Sequence, residues 1–295
     1  MQAEVVDNMG QAVADMILHH LSNGQALELP FTSLEHLAGH HVHLPSLPAF
    51  ELLGVRVDLS LTKHVAMMLV AALLLILMAW RVRRSLGLVP RGIANLVEAF
   101  VLFIRDDIAT GTMGPKAAGL YTPYLCTTFF FILTCNLLGL VPYGSTATGN
   151  LAVTGTLAFM SFLMIQFAGI RELGILGYVK HLVPPGVPWW LAPIMFLVEL
   201  LGVFAKPFAL CIRLFANMLA GHVVILSLIG LIFILGLAIA PITVAFGVFM
   251  YLLELFVSLL QAYIFTMLTS LFIGLLVAGH HGDDHDDHVK DARHG

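Results

Sequence analysis

Apolar positions in this chain run in long uninterrupted stretches, and the polar residues gather between them. A membrane span needs about 20 apolar residues to cross a hydrocarbon core of about 30 Å. The stretch LTKHVAMMLVAALLLILMAW, residues 61–80, has that length and ends at an arginine cluster. The next segment, GIANLVEAFVLFIRDDIATG, places Ile93, Leu96, Val97, Phe100, Val101 and Ile104 at helical spacing with charges between them. That pattern predicts an amphipathic helix at the inner interface, or a partly re-entrant one. Residues 117–170 contain no Asp, Glu, Lys or Arg and are broken by VPYGSTATGN, a turn-type cluster, which predicts two spans joined outside. RELGILGYVKHLVPPGVPWW then returns to the inner side, with Arg171 and Lys180 marking it and its prolines interrupting the helix.

Two further apolar stretches cover residues 190–235 and 241–278, separated by GLAIAP. Each would make a straight helix of about 60 Å, twice the hydrocarbon thickness. Either each breaks into two spans or the pair forms a long, steeply tilted hairpin, and the lack of clustered polar residues favours the hairpin. The predicted fold class is therefore an all-α integral membrane protein. It has about five transmembrane helices, the last two a tilted hairpin, plus an amphipathic inner-face helix. Three regions follow: an outer N-terminal segment at 1–60, a membrane domain at 61–279, and a tail at 280–295 whose His/Asp-rich composition is that of a disordered end.

Composition agrees: 59% of the 295 residues are hydrophobic, 11% are charged, and the mean hydropathy is +0.93, which excludes an ordinary soluble domain. The first residues lack the basic start and continuous apolar core of a signal peptide, so the N-terminus reads as retained. Charge distribution adds orientation. Residues 1–60 hold seven acids and Arg56 as the one strong base, whereas 81–116 hold six strong bases against three acids. The positive-inside rule puts the second segment inside, the N-terminus outside and the tail inside. Cys126, Cys135 and Cys211 all lie in apolar stretches and read as small buried hydrophobes. The histidines of the tail and of the N-terminal segment, His36, His40, His41 and His43, read as solvated polar residues, and no metal or cofactor is assigned.

From Leu182 to Gly282 the only formal charges are Glu199, Lys206, Arg213 and Glu254. An arginine at mid-membrane costs several kcal/mol unless it faces protein or water. Arg213 is too far from either end of its apolar stretch for snorkelling to suffice. Glu199, Lys206 and Arg213 are spaced seven apart, so they share a helix face within about 40°, with Glu199 and Arg213 about 21 Å apart along the axis. Asn217 stays on that face, while His222 lies nearly opposite and is free to meet a neighbouring helix. Glu254 and Gln261 share a face of the last helix. A hairpin brings Arg213 near the level of Gln261, with His222 and Glu254 nearer the outer surface and Glu199 toward the inner one. A polar trail from each side with a fixed cation between is not a simple pore. For Lys206, beside Pro207, snorkelling or support of a helix break is the favoured reading.

The segments LLGVFAKPFALCIRLFANMLAGH and YLLELFVSLLQAYIFTMLTSLFIG resemble the a subunit of F-type ATP synthases, and MILHHLSNG and LVPYGSTATGN with VTGTLAF are similar to weaker landmarks of that family. The resemblance implies a proton-conducting stator, with two offset half-channels, beside a rotating ring of c subunits, so that 61–279 is a proton-channel domain. It implies that Arg213 faces the ring carboxylates, that Asn217 and Gln261 are its polar neighbours, and that Glu199 lies in the inner half-channel. The best-known bacterial pattern carries Glu and His in the opposite order to His222 and Glu254, an exchange also found in mitochondrial members. Asn150 sits where the family often has an acid and is carried over as an outer-channel candidate.

Implied partners are c-ring subunits, peripheral-stalk b-type subunits and membrane lipid, with no nucleic acid and no cofactor. The implied location is the bacterial inner membrane rather than the mitochondrial one, with protons as the coupling ion. The chain has no Gly-rich phosphate loop, so any phosphoryl chemistry belongs to other subunits. An ion-coupled secondary transporter is the alternative, but it calls for two related halves, and no internal repeat is present. A haem carrier would need facing histidine pairs, and His222 has no histidine at its depth.

Overall fold

A computed structural model describes residues 62–85, 92–141, 146–181 and 188–278, the short stretches 26–28, 41–43, 50–52 and 55–57, and positions 11 and 14. The tail expected at 280–295 and most of the N-terminal segment lie outside the described residues. Within 1–60, β1 (Ala26–Glu28) pairs antiparallel with β2 (His41–His43), and β3 (Phe50–Leu52) with β4 (Val55–Val57).

Everything else described is helical or a short connection. Helix α1 spans Lys63–Ser85. Helix α2 (Ile93–Leu102) passes through a π-helical stretch, Phe103–Thr110, into α3 (Gly111–Leu140). Then come α4 (Leu151–His181), α5 (Ala192–Leu235) and α6 (Ala240–Ala278). Five segments are long and apolar enough to cross a membrane: Lys63–Arg84, Ile93–Leu140, Leu151–Tyr178, Ala192–Ile232 and Ala240–Val277. The chain is thus an all-α, multi-pass membrane protein. Large apolar side chains such as Leu73, Ile76, Phe208, Ile242 and Phe256 point outward. Lipid tolerates that surface, and the unbroken helices bond their own backbone groups as lipid demands.

Glycines make the sharp breaks. Gly114 adopts φ 76° and ψ 165°, and Pro115 begins the helix after it, so the amphipathic part is set off from the apolar span. Gly174, with φ 68° and ψ 167°, breaks α4. Beyond that break the helix runs on to His181, ending ahead of the prolines of this segment. Gly236, at φ 83°, turns α5 toward α6. Neither long helix divides into two: α5 runs 44 residues through Pro207, and α6 runs 39.

The chain forms two compact units, each made from pieces distant in sequence. The first joins Met1–Met78, Phe131–Thr154 and Arg213–Gln261. In its interior, Ala71 of α1 packs on Cys135 of α3 and on Ala147, so Cys135 is the small buried hydrophobe expected. The second joins Ala79–Phe130, Gly155–Ile212 and Ala262–Gly295. There Phe100 of α2 packs against Phe129 and Phe130 of α3, and Phe103 against Tyr263 of α6. Thr112 meets Ser270 at 2.6 Å, beside a Gly274 whose missing Cβ leaves room for the Thr112 carbonyl. Ile93 and Leu96 remain exposed on α2, the face an interfacial helix offers to lipid.

Candidate functional site

In the first unit, α5 and α6 run antiparallel after Gly236, and the polar residues of both meet between them. His222 Nδ1 lies 2.9 Å from Glu254 Oε1 and 3.2 Å from the Met218 carbonyl. Its Nε2 lies 2.7 Å from Thr146 Oγ1 and 3.0 Å from the Gly139 carbonyl. Both protonation states of the ring are accommodated. A neutral imidazole donates from Nδ1 to Glu254 and accepts from the Thr146 hydroxyl, while an imidazolium also donates from Nε2 to the Gly139 carbonyl. Glu254 is 5% exposed, and its Oε2 has no hydrogen-bond partner among the described residues. An acid held by one oxygen beside a base that bonds in either state can pass a proton without losing its place.

Two glycines create the space. A Cβ on Gly139 would run into Thr146 Oγ1, and one on Gly221 would stand 2.7 Å from the Glu254 carboxylate. The connection that carries Thr146 is pinned below it. Thr148 donates to Asn136 Oδ1 at 2.7 Å, and Asn136 donates to the Ser258 carbonyl at 3.3 Å. His64 of α1, also buried, hydrogen-bonds the Thr146 backbone. Tyr251 donates to the Leu140 carbonyl at 2.9 Å, tying α6 to the end of α3.

Met218 faces Ser258 as His222 faces Glu254, four residues on in one helix and four back in the other. That register carries Arg213 to within two residues of the level of Gln261. Arg213 is exposed, and no hydrogen bond or ion pair holds its guanidinium among the described residues. Asn217 is half-buried on the same helix. Gln261 is buried, with its Nε2 unpartnered among the described residues. Asn150 acts locally, its Oδ1 accepting the Ala152 N–H at 2.9 Å and so capping the start of α4.

In the second unit, Glu199 and Lys206 line a cavity of about 300 Å³ with Gln166, Tyr178 and Pro207. Lys206 Nζ lies 3.8 Å from Glu199 Oε1 and 5.1 Å from the Phe272 ring centre. The lysine therefore lies beside Glu199. The Tyr178 hydroxyl donates to Gln166 Oε1. Among the described residues no group of three or more His, Cys, Asp or Glu is arranged to hold a metal ion.

The structure thus brings His222 and Glu254 together, keeps Glu199 beside Lys206 in a cavity, and adds residues that sequence reasoning passed over. Thr146 and Thr148 sat in a cluster legible only as loop chemistry. Asn136 and Gln166 had a signal, each being a lone amide in an apolar run. Tyr178 had none.

These features define a polytopic membrane protein that keeps titratable groups inside its helical core. The chain belongs to the ATP synthase A chain family, whose model matches residues 65–274. It is 56% identical to the ATP synthase subunit a of Myxococcus xanthus over 239 residues, 79% of this chain and 78% of that one. It is 47% identical to subunit a 2 of Chlorobaculum tepidum, covering 95% of this chain and 78% of the relative. With subunit a of Anaeromyxobacter dehalogenans the identity is 48%, over 93% of this chain and 73% of the relative. It is a membrane-sector component of a multi-subunit complex, and the process it serves is proton transport in ATP synthesis.

Proposed function

We propose that this chain is the stator that carries protons through two offset half-channels to and from the carboxylates of a rotating c-ring, with Arg213 preventing a direct leak. The observation that carries the reading is Arg213 itself: exposed on an apolar helix, with no carboxylate holding it among the described residues. A guanidinium in such a place calls for protein or water to face it, and a carboxylate from outside the chain suits it best. A ring carboxylate must be neutral in lipid. Arriving at Arg213 it is stabilised as an anion and releases its proton, to be reprotonated from the other side. The fixed cation repels a free proton, so ion flow requires ring rotation.

His222 and Glu254 form the outer access site, Glu199 stands in the inner half-channel, and Asn217 and Gln261 flank the arginine. Asn150, at the start of α4, belongs to the outer channel. The complex sits in a bacterial inner membrane with the N-terminus of this chain outside and the C-terminus inside, and b-type peripheral-stalk subunits anchor it. The domain limits follow: an outer segment at 1–60, the proton-channel domain at 61–279 and an inner tail at 280–295.

The test is Arg213→Lys. Lysine keeps a positive charge in water but loses the forked geometry, and a buried lysine sheds its proton where arginine does not. ATP-driven proton pumping by membrane vesicles should vanish while the complex still assembles. Near-normal pumping in the variant would remove Arg213 from the centre of the mechanism.

A further inference from the structure

The cavity around Glu199 owes one wall to a return of the chain. Gly174 occupies a backbone region essentially restricted to glycine, and the turn made there brings Tyr178 back onto the preceding part of α4. The Tyr178 hydroxyl bonds to Gln166, and its ring lies so close over Gly169 that a Cβ there would stand 2.8 Å from Tyr178 Cε2. The two residues make a polar edge beside the apolar side chains of Phe162, Ile165, Phe272 and Leu276.

Water stays in a cavity only where polar groups offer it two or more hydrogen bonds; apolar cavities of similar size are dry. Here the partners exist. After donating to Gln166 the Tyr178 oxygen keeps acceptor capacity, and the Gln166 amide keeps two N–H donors that this bond does not use. Across the cavity, Pro207 has no N–H, so the Val203 carbonyl lacks its usual helical partner. The Glu199 carboxylate completes the ring of partners, and Lys206 lines the same space.

Resting on the inner half-channel reading of Glu199, we propose that Tyr178 and Gln166 are positioning residues of that half-channel, holding the water through which Glu199 exchanges protons. They act on Glu199 and do not touch the ring carboxylate. The Tyr178–Gln166 bond keeps the short helix after Gly174 in place, and Gly169 admits the ring.

The experiment is a double-mutant cycle of Tyr178→Phe and Gln166→Leu in the whole complex in membrane vesicles, reading ATP-driven proton pumping and heat inactivation. Each single change removes the direct Tyr178–Gln166 bond, so each lowers heat stability and slows pumping by about threefold to tenfold, the worth of one hydrogen bond. The double change replaces both partners with apolar groups of similar shape, which restores stability. If the pair positions water, pumping stays slow in the double variant, and a Val203→Cys thiol added to that background reacts more slowly with a small aqueous reagent. Recovery of pumping together with stability would mean a purely structural latch and would overturn the proposal. If the double variant does not assemble, Tyr178→Phe decides: unchanged reactivity of Val203→Cys in that background overturns it. Glu199→Gln in the same vesicles separates the two levels. Full pumping there removes the inner half-channel reading itself, whereas impaired pumping there beside a normal double variant removes only the Tyr178–Gln166 proposal.

Discussion

His222 and Glu254, 32 positions apart, meet at 2.9 Å between Nδ1 and Oε1, each on its own long helix and both largely shielded from solvent. Two groups joined by a hydrogen bond in this way act on a proton together, so the effects of changing them are coupled. Removing one partner should therefore move the pH dependence of proton uptake as well as its rate. Glu254→Gln and His222→Ala are each expected to impair flux, and the double exchange His222→Glu, Glu254→His to recover part of it. Proton flux through the membrane sector across pH measures this. A double exchange as poor as the combined single defects would refute the paired site.

Gly221 leaves the Glu254 carboxylate no spare room. Alanine at this position favours the helix by about 1 kcal/mol, yet its Cβ must push the acid away from His222. Gly221→Ala should retain the assembled complex and lose most proton pumping. Normal pumping would show that the carboxylate tolerates displacement.

Asn136 is fully buried, with Thr148 on its oxygen and the Ser258 carbonyl on its nitrogen. Asn136→Leu leaves the Thr148 hydroxyl and the Ser258 carbonyl without that partner, at about 1–3 kcal/mol for a buried group left unsatisfied. Heat inactivation of the purified complex should begin at lower temperature. Because Thr146 rides on the same segment, pumping should fall as well.

Gly114 adopts a backbone conformation that side chains other than glycine occupy only with strain of about 1–3 kcal/mol. Gly114→Ala should lower the stability of the assembled complex by that order, read as earlier heat inactivation, while Gly119→Ala, in the regular helix with nothing near its Cβ, should not.

The bases between 81 and 116 predict the sidedness of the chain. Ser85→Cys should react with an impermeant thiol reagent from the inside, and Asn23→Cys from the outside. The reverse pattern would interchange the two half-channels.

Much of this protein is legible along one dimension. Lipid requires continuous apolar helix, so the five spans, the amphipathic approach to α3, and the undivided length of α5 and α6 follow from runs of residue type alone. The oddity of Arg213 is equally local, because one charge in an apolar run stands out without any partner in view. What sequence could not reach was who meets whom. Thr146 sits in a connection whose residues suit any turn, and becomes a partner of His222 only because α3, α5 and α6 converge where Gly139 and Gly221 leave space. Tyr178 reaches Gln166 because Gly174 takes a positive φ, a backbone choice that the letter G permits but does not declare. Helix periodicity orders residues around one axis. The distances between axes, which decide whether a hydroxyl, an imidazole and a carboxylate share a proton, are settled by how side chains from separate helices pack, and that exists only in the folded chain.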